Sequence, residues 1–255
     1  MKRIEQNVLP LDKIFKQMKK LLLAIAALAV SATAFCQITT TGIDPEKNLE
    51  FMREHLYRMD EFSKGTVVFD QDAAVYGDDG VPITLHPSQG IININNLHQC
   101  VVMLNGNDTI PIIYEDHVVK VNTGKNMYLK IKGIYYQVVE YNETVLGIME
   151  VLKADDMGKK DIYGTNSQLS SATNITSLSG NGAISSDLTA NTNLKFTLEK
   201  RPVFISGKKV AYLNEKQLTK MYKKKSAVIK DYFAKHEVDP FSLEQAQELY
   251  NELIK

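Results

Sequence analysis

The densest group of potential ligands in this sequence is a run of four aspartates, Asp70, Asp72, Asp78 and Asp79. Hard cations such as calcium take several oxygen ligands converging from a loop. Two aspartates at a strand end and two in a turn would offer that chemistry. Their spacing does not follow the helix-loop-helix calcium pattern, and aspartate is also favoured in turns for its own backbone hydrogen bonds. No cofactor is otherwise expected; calcium at these four residues is the exception the side chains would allow. The histidines (His55, His86, His98, His117 and His236) stand apart, with no pair at metal-ligand spacing. Cys100 sits in the apolar run Gln99–Leu104, where a thiol is a small buried hydrophobe rather than a nucleophile. No catalytic set is expected: the chain has no His-Glu-x-x-His, Gly-x-Ser-x-Gly or phosphate-cradling loop. Paired carboxylates occur in any acidic chain and say little. The absence of Trp argues mildly against a sugar-stacking groove.

Two further motifs bear on modification and surfaces. Asp108-Thr109-Ile110 matches a short O-glycosylation acceptor pattern of some exported bacterial proteins, with Thr109 in an expected turn. Lys223-Lys224-Lys225 could touch an anionic membrane or an acidic partner, although a three-lysine run is commonly a solvated face.

The first element behind these residues is an export signal. Lys19 and Lys20 precede an uncharged, mostly apolar run from Leu21 to Phe35, and Ala34-Phe35-Cys36 then Gln37 has the small residues that a signal peptidase reads. The run is shorter than the roughly 20 residues a bilayer-crossing helix needs. Residues 18–36 are therefore expected to be a signal peptide cleaved between Cys36 and Gln37, placing the protein in the periplasm, envelope or medium with no transmembrane span left. Lipid attachment at Cys36 is the rival, disfavoured by Phe35 in the preceding position. Residues 1–17 fit neither, and translation from Met18 would make them an artefact of start-site choice.

The chain carries 30 Lys/Arg and 30 Asp/Glu, and residues 1–36 hold six of the former and two of the latter. The remainder is thus 24 against 28, a net charge of −4. Such a balance leaves no footprint for nucleic acid. From Glu199 onward the balance is 12 against 8, so the basic charge concentrates at the C-terminal end.

An N-terminal helix is expected over Pro45–Glu61, from Leu49, Met52, Leu56 and Met59. Residues 37–154 form one β-rich region with it. Short Val/Ile/Tyr runs alternate there with turn signals such as Asn105-Gly106-Asn107-Asp108 and Lys132-Gly133. The spacing of about ten residues per strand implies hairpins. Leu129 and Ile131 are expected to face the core from one side of their strand, and the dense Tyr135–Leu152 hairpin to be buried on both faces. Residues 155–193, rich in Ser, Thr, Gly and Asn, are expected to be a flexible linker or loop. Residues 194–255 resume with strands at Leu194–Leu198 and Val203–Ser206, then helices capped by Asn214 and Ser242. The fold class expected is α+β: mainly an antiparallel β meander, sandwich or partly open barrel, with an N-terminal helix and a C-terminal helical segment.

This layout resembles an uncharacterised family of exported bacterial cell-envelope proteins. The matching stretches are Lys64-Gly-Thr-Val-Val-Phe69, Ile134-Tyr-Tyr-Gln-Val-Val139, Tyr163-Gly-Thr-Asn-Ser-Gln168 and the lysine-rich Leu218–Lys230. Family members often have Phe-Pro before the lysines where this chain has Met221-Tyr222. The resemblance implies export and a single architectural unit but no activity. The function expected is a non-enzymatic structural or interaction module of the envelope, its partner an envelope protein or surface. The alternative is a secreted hydrolase or calcium-dependent binding protein using the Asp70–Asp79 loop.

Overall fold

The computed structural model describes residues 38–40, 45–77, 79–156 and 194–255. The chain divides into two units between Phe35 and Cys36, and every described residue belongs to the second. Ala34, Cys36, Gln37 and Asp78 lie outside the described residues, as do 1–33 and 157–193.

In chain order the elements are β1 (Ile38–Thr40), α1 (Pro45–His55), β2 (Ser63–Phe69), β3 (Val75–Tyr76), β4 (Pro82–Ile83), β5 (Ser88–Asn95), β6 (Cys100–Asn105) and β7 (Asp108–Pro111). There follow β8 (Val118–Asn122), β9 (Met127–Ile131), β10 (Ile134–Tyr141), β11 (Val145–Asp156), β12 (Leu194–Ser206), β13 (Lys209–Tyr212), α2 (Glu215–Met221), α3 (Ser226–Lys235) and α4 (Leu243–Ile254). Eleven of the described strands make one sheet in the order β1-β12-β11-β10-β9-β8-β2-β5-β6-β7, with β13 paired to β12, and β3 and β4 form a separate ribbon. Every pairing is antiparallel. The sheet is open, ending at β1 and β7, as the expected α+β class with a mainly antiparallel, unclosed sheet requires.

Hairpin turns follow the local chemistry. Lys132 and Gly133 both have positive φ (52° and 79°), the two-residue turn whose twist matches the strands it joins. β11 and β12 pair in register from Val145↔Ile205 to Asp156↔Leu194, so residues on either side of the 155–193 stretch share one ladder. Asp155 and Asp156, expected in the linker, belong to β11.

The structure departs from the expected elements in several places, each for a visible reason. The first helix stops at His55 rather than Glu61. Beyond it the backbone pairs with the end of β5 and the residue after it: Arg58 N–H donates to Ile94 O (2.8 Å) and Leu56 O accepts from Asn96 N–H (2.7 Å). β7 ends at Pro111, and Tyr114 turns left-handed (φ 62°) and opens a 3-10 turn, Glu115–His117. The two strands expected around Pro202 are one, β12. β1 covers its edge at Thr197–Glu199 and β13 at Val203–Ser206; Pro202 stands between these pairings, where its missing N–H breaks no ladder. Finally, β9 is covered on both sides. Leu129 and Ile131 do face a core, yet Tyr128 is 1% exposed on the other face.

Three apolar clusters hold these strands. One gathers Val67, Phe69, Ile92, Ile94, Val121 and Tyr128 under the β2–β5–β8 half. A second packs Met52 of α1 on Leu152, Phe196 and Leu198. A third joins Tyr136, Met149, Val203 and Ile205. The C-terminal helices bury Leu218, Ile229, Ala246 and Leu249. Tyr250 pins α4 to the β10–β11 turn, its hydroxyl donating to Thr144 O at 2.8 Å. Arg201 lies 3.9 Å from the Tyr212 ring centroid and 5.7 Å from that of Phe241, tying the α3–α4 connector to the sheet. The helix does break at Tyr222 without Pro, its φ of −109° and ψ of 62° leading into a 3-10 turn at Lys223–Lys225. No described helix is long and apolar enough to cross a membrane.

Candidate functional site

Two of the aspartates expected as a cation site, Asp70 and Asp79, accept backbone hydrogen bonds within their own turns. Asp70 Oδ1 accepts from the Asp72 N–H at 3.1 Å, and Asp79 Oδ1 from the Val81 N–H at 3.0 Å. Asp72 and Asp79 are exposed and Asp70 is half-buried; Asp78 lies outside the described residues. Among the described residues no three His, Cys, Asp or Glu side chains come together as a metal set. Thr109 is half-buried in β7 opposite Leu104, on the sheet edge rather than in the turn. Cys100 is buried at the start of β6, and burial pushes its thiol up to about 12. Burial also lowers the pKa of His98.

The structure instead assembles a polar cluster that sequence reasoning missed. Tyr135 of β10 and Lys130 of β9 are register partners, so their side chains share a face. The 3-10 turn after Tyr114 drops the Glu115 carboxylate onto that pair. Glu115 Oε1 accepts from Lys130 Nζ and from the Tyr135 hydroxyl, both at 2.6 Å. Glu115 Oε2 accepts from the Val101 N–H at 2.9 Å, and Lys130 also donates to the Glu115 carbonyl at 2.7 Å. The Lys130 ammonium sits 5.3 Å from the Tyr135 ring centroid. Burial first, then the Glu115 carboxylate, push the Tyr135 hydroxyl far above its ordinary range. It is a permanent donor.

A second network begins at the Tyr135 backbone. The β10–β11 ladder runs inward from Tyr141↔Val145 and stops at Tyr136↔Met149. One row further, Tyr135 pairs only with β9 and Glu150 only with β12. The sheet splays there, and side chains replace the missing ladder. The Tyr135 N–H donates to Gln99 Oε1 (3.0 Å), and the Tyr135 carbonyl accepts from Arg58 Nη1 (3.5 Å). The Glu150 carbonyl accepts from Arg58 Nη2 and from Gln99 Nε2 (3.1 Å). Arg58 Nε also donates to Asn96 Oδ1 at 2.6 Å, and Asn96 Nδ2 to Glu150 Oε1 at 2.9 Å. Lys200 Nζ reaches Glu150 Oε2 at 3.0 Å. The Arg58 side chain is only 1% exposed; burial lowers its pKa and the Glu150 carboxylate opposes that shift.

Chemically, a tyrosine, a carboxylate and an ammonium within hydrogen-bond reach could relay a proton. Here the Tyr135 hydroxyl is matched to the Glu115 carboxylate, the Lys130 ammonium holds two Glu115 oxygens, and Tyr135 is fully buried. The arrangement is a lock that holds the 3-10 turn and the splayed strands in place. Its sequence signals were faint but present: Asn93-Ile94-Asn95-Asn96 inside a strand region, and Lys130 and Glu150 inside apolar runs.

No protein-family model, curated protein or solved structure matches the chain. The fold and interior define the class alone: an α+β protein built on one open antiparallel sheet, with a polar lock at the point where that sheet splits.

Proposed function

We propose that this chain is an exported cell-envelope protein whose β-rich body acts as a non-enzymatic structural or interaction module. The observation that carries this reading is the saturation of the Glu115–Lys130–Tyr135 cluster, whose chemistry-bearing groups are spent on holding the fold. Export is supported by the Met18–Cys36 pattern.

The test is to express the natural gene and fractionate the cells. The expected product is an envelope or secreted chain whose intact mass and N-terminal sequence begin at Gln37. A chain that keeps Met1 and stays in the cytoplasm would overturn the export reading. A pull-down from envelope fractions then addresses the partner. The calcium-dependent alternative predicts heat on titrating the mature protein with calcium, and a flat titration would remove it.

A further inference from the structure

The described residues carry one strongly charged surface that the fold itself does not use. Lys216 and Lys220 lie four residues apart on α2 and therefore share a face, and Lys223 follows just beyond the break, in the 3-10 turn. Leu218, fully buried, is about 200° around the helix from both Lys216 and Lys220, so that pair points outward. Lys224 stands beside Lys223 in the 3-10 turn. Lys230 of α3 is likewise about 200° from the buried Tyr232. Lys216, Lys220, Lys223, Lys224 and Lys230 are all exposed, and none forms an ion pair with a described residue. Of the carboxylates of this end, Glu215 precedes Lys216 in α2, and Asp231, beside Lys230, pairs with Lys235 at 2.6 Å; three more lie on α4. Glu244, Glu248 and Glu252 line one side of α4, where Glu248 Oε2 accepts from Tyr232 at 3.0 Å, across α3 from Lys230.

We propose that this lysine face docks the protein onto an anionic phospholipid surface. The absence of an apolar anchor favours lipid over a protein partner. Protein interfaces concentrate their energy in buried aromatic and aliphatic side chains. Among the described residues, the large exposed hydrophobics are Tyr76, Val81, Ile91, Ile110, Ile113, Tyr114, Val119, Tyr141 and Ile254; only Ile254, the last residue of α4, belongs to the C-terminal helices, and none lies on α2, α3 or the 3-10 turn that carry the lysines. A bare row of ammonium groups suits a diffuse negative surface, where each lysine contributes independently. The remainder of the chain from Gln37 is acidic and repelled by such a surface, so only this end can face it. Attachment of this kind is peripheral, reversible and sensitive to salt. The proposal does not depend on the export reading, because vesicles test it without a cell.

The experiment sediments the chain from Gln37 to Lys255, which holds every described element, with vesicles of phosphatidylglycerol mixed into phosphatidylcholine, and with phosphatidylcholine alone. The expected result is pelleting with the anionic vesicles only, abolished by salt of about 0.5 M, where screening confines charge effects to a few ångströms. K216Q/K220Q/K223Q/K224Q should weaken binding at least about tenfold, and K216Q/K220Q alone by a smaller factor. A control removing Lys64, Lys125 and Lys132 (each to Gln), exposed lysines of the β-rich body, should bind as the parent does. Equal melting temperatures would show that all variants are folded. Binding to neutral vesicles, undiminished binding by the quadruple variant, or an equal loss in the control would overturn the proposal. Failure to pellet with either vesicle, while an acidic protein or a heparin column retains the chain, would overturn it in favour of another class of polyanion.

Discussion

At the scale of single residues, the interior is governed by the rule that a buried charge needs a complete set of partners. Lys130 and Glu115 satisfy it jointly: the Lys130 side chain is 8% exposed and that of Glu115 20%. Glu115→Gln would leave the ammonium buried without its counter-charge. The expected loss is about 3 kcal/mol of unfolding free energy, read as a lowered denaturant midpoint at constant slope. The double variant Glu115→Gln/Lys130→Met, which removes both charges, should recover most of that loss. An additive double variant would show that the pair is not coupled. Sequence patterns gave only a faint signal of this cluster because its members come from three places, the 3-10 turn, β9 and β10, and meet only once β10 folds back on β9. Lys130 looked like the solvent side of an alternating strand, a correct inference for a sheet with one wet face. The second layer under β9 comes from residues such as Phe69, Ile92 and Ile94, far away in the chain, which no local window contains. By contrast, the buried state of Cys100 was legible, since the run around it is apolar in every register.

At the scale of elements, the signals that act locally were read well. Asn214 does cap α2, its Oδ1 accepting from the Gln217 N–H at 3.2 Å. Ser242 caps α4 through the Gln245 N–H at 3.2 Å. Gln245 does not return the bond to Ser242 as a closed capping box would; its side chain instead holds the connector, accepting from Asp239 N–H at 2.8 Å and donating to Glu237 O at 3.0 Å. Ser242→Ala should therefore cost about 1 kcal/mol, while Gln245→Ala should also loosen the connector and speed amide exchange at Asp239. No such acceleration would mean that the connector is held by Phe241 on Arg201 alone. Glycine carries a stronger constraint in β2. A Cβ at Gly65 would meet Ile92 Cδ1 at 2.5 Å and the Asn122 carbonyl oxygen at 2.7 Å. The side chain might have been moved aside, but the carbonyl belongs to the neighbouring strand β8. Gly65→Ala should cost on the order of 1–3 kcal/mol, and a neutral result in thermal unfolding would refute the close packing of β2 between β5 and β8.

For the whole molecule, the same burial that makes the interior stable at neutral pH sets its alkaline limit. Burial pushes the Cys100 thiol up to about 12. It does the same to the hydroxyls of Tyr128, Tyr136 and Tyr222, each to about 12. These groups are neutral when protonated, and the fold holds their protons more tightly than the unfolded chain does. Their contribution is fully present below the unfolded values, 9.0 for the thiol and 10.0 for the hydroxyls. It is lost as pH rises from there toward the folded values, because the unfolded state then binds fewer protons and is favoured. The four sit in different parts of the sheet, on β6, β9, β10 and at the α2 boundary, so the loss is spread over the structure rather than confined to one end. Denaturant melts should give a flat midpoint from about pH 7 to about pH 9 and a steadily falling one above it. Cys100→Ser and Tyr136→Phe, combined, should flatten the first part of that fall, since neither replacement titrates there. A midpoint that begins to fall well below pH 9, or a slope unchanged by the double variant, would mean that alkaline unfolding is not driven by the buried neutral acids.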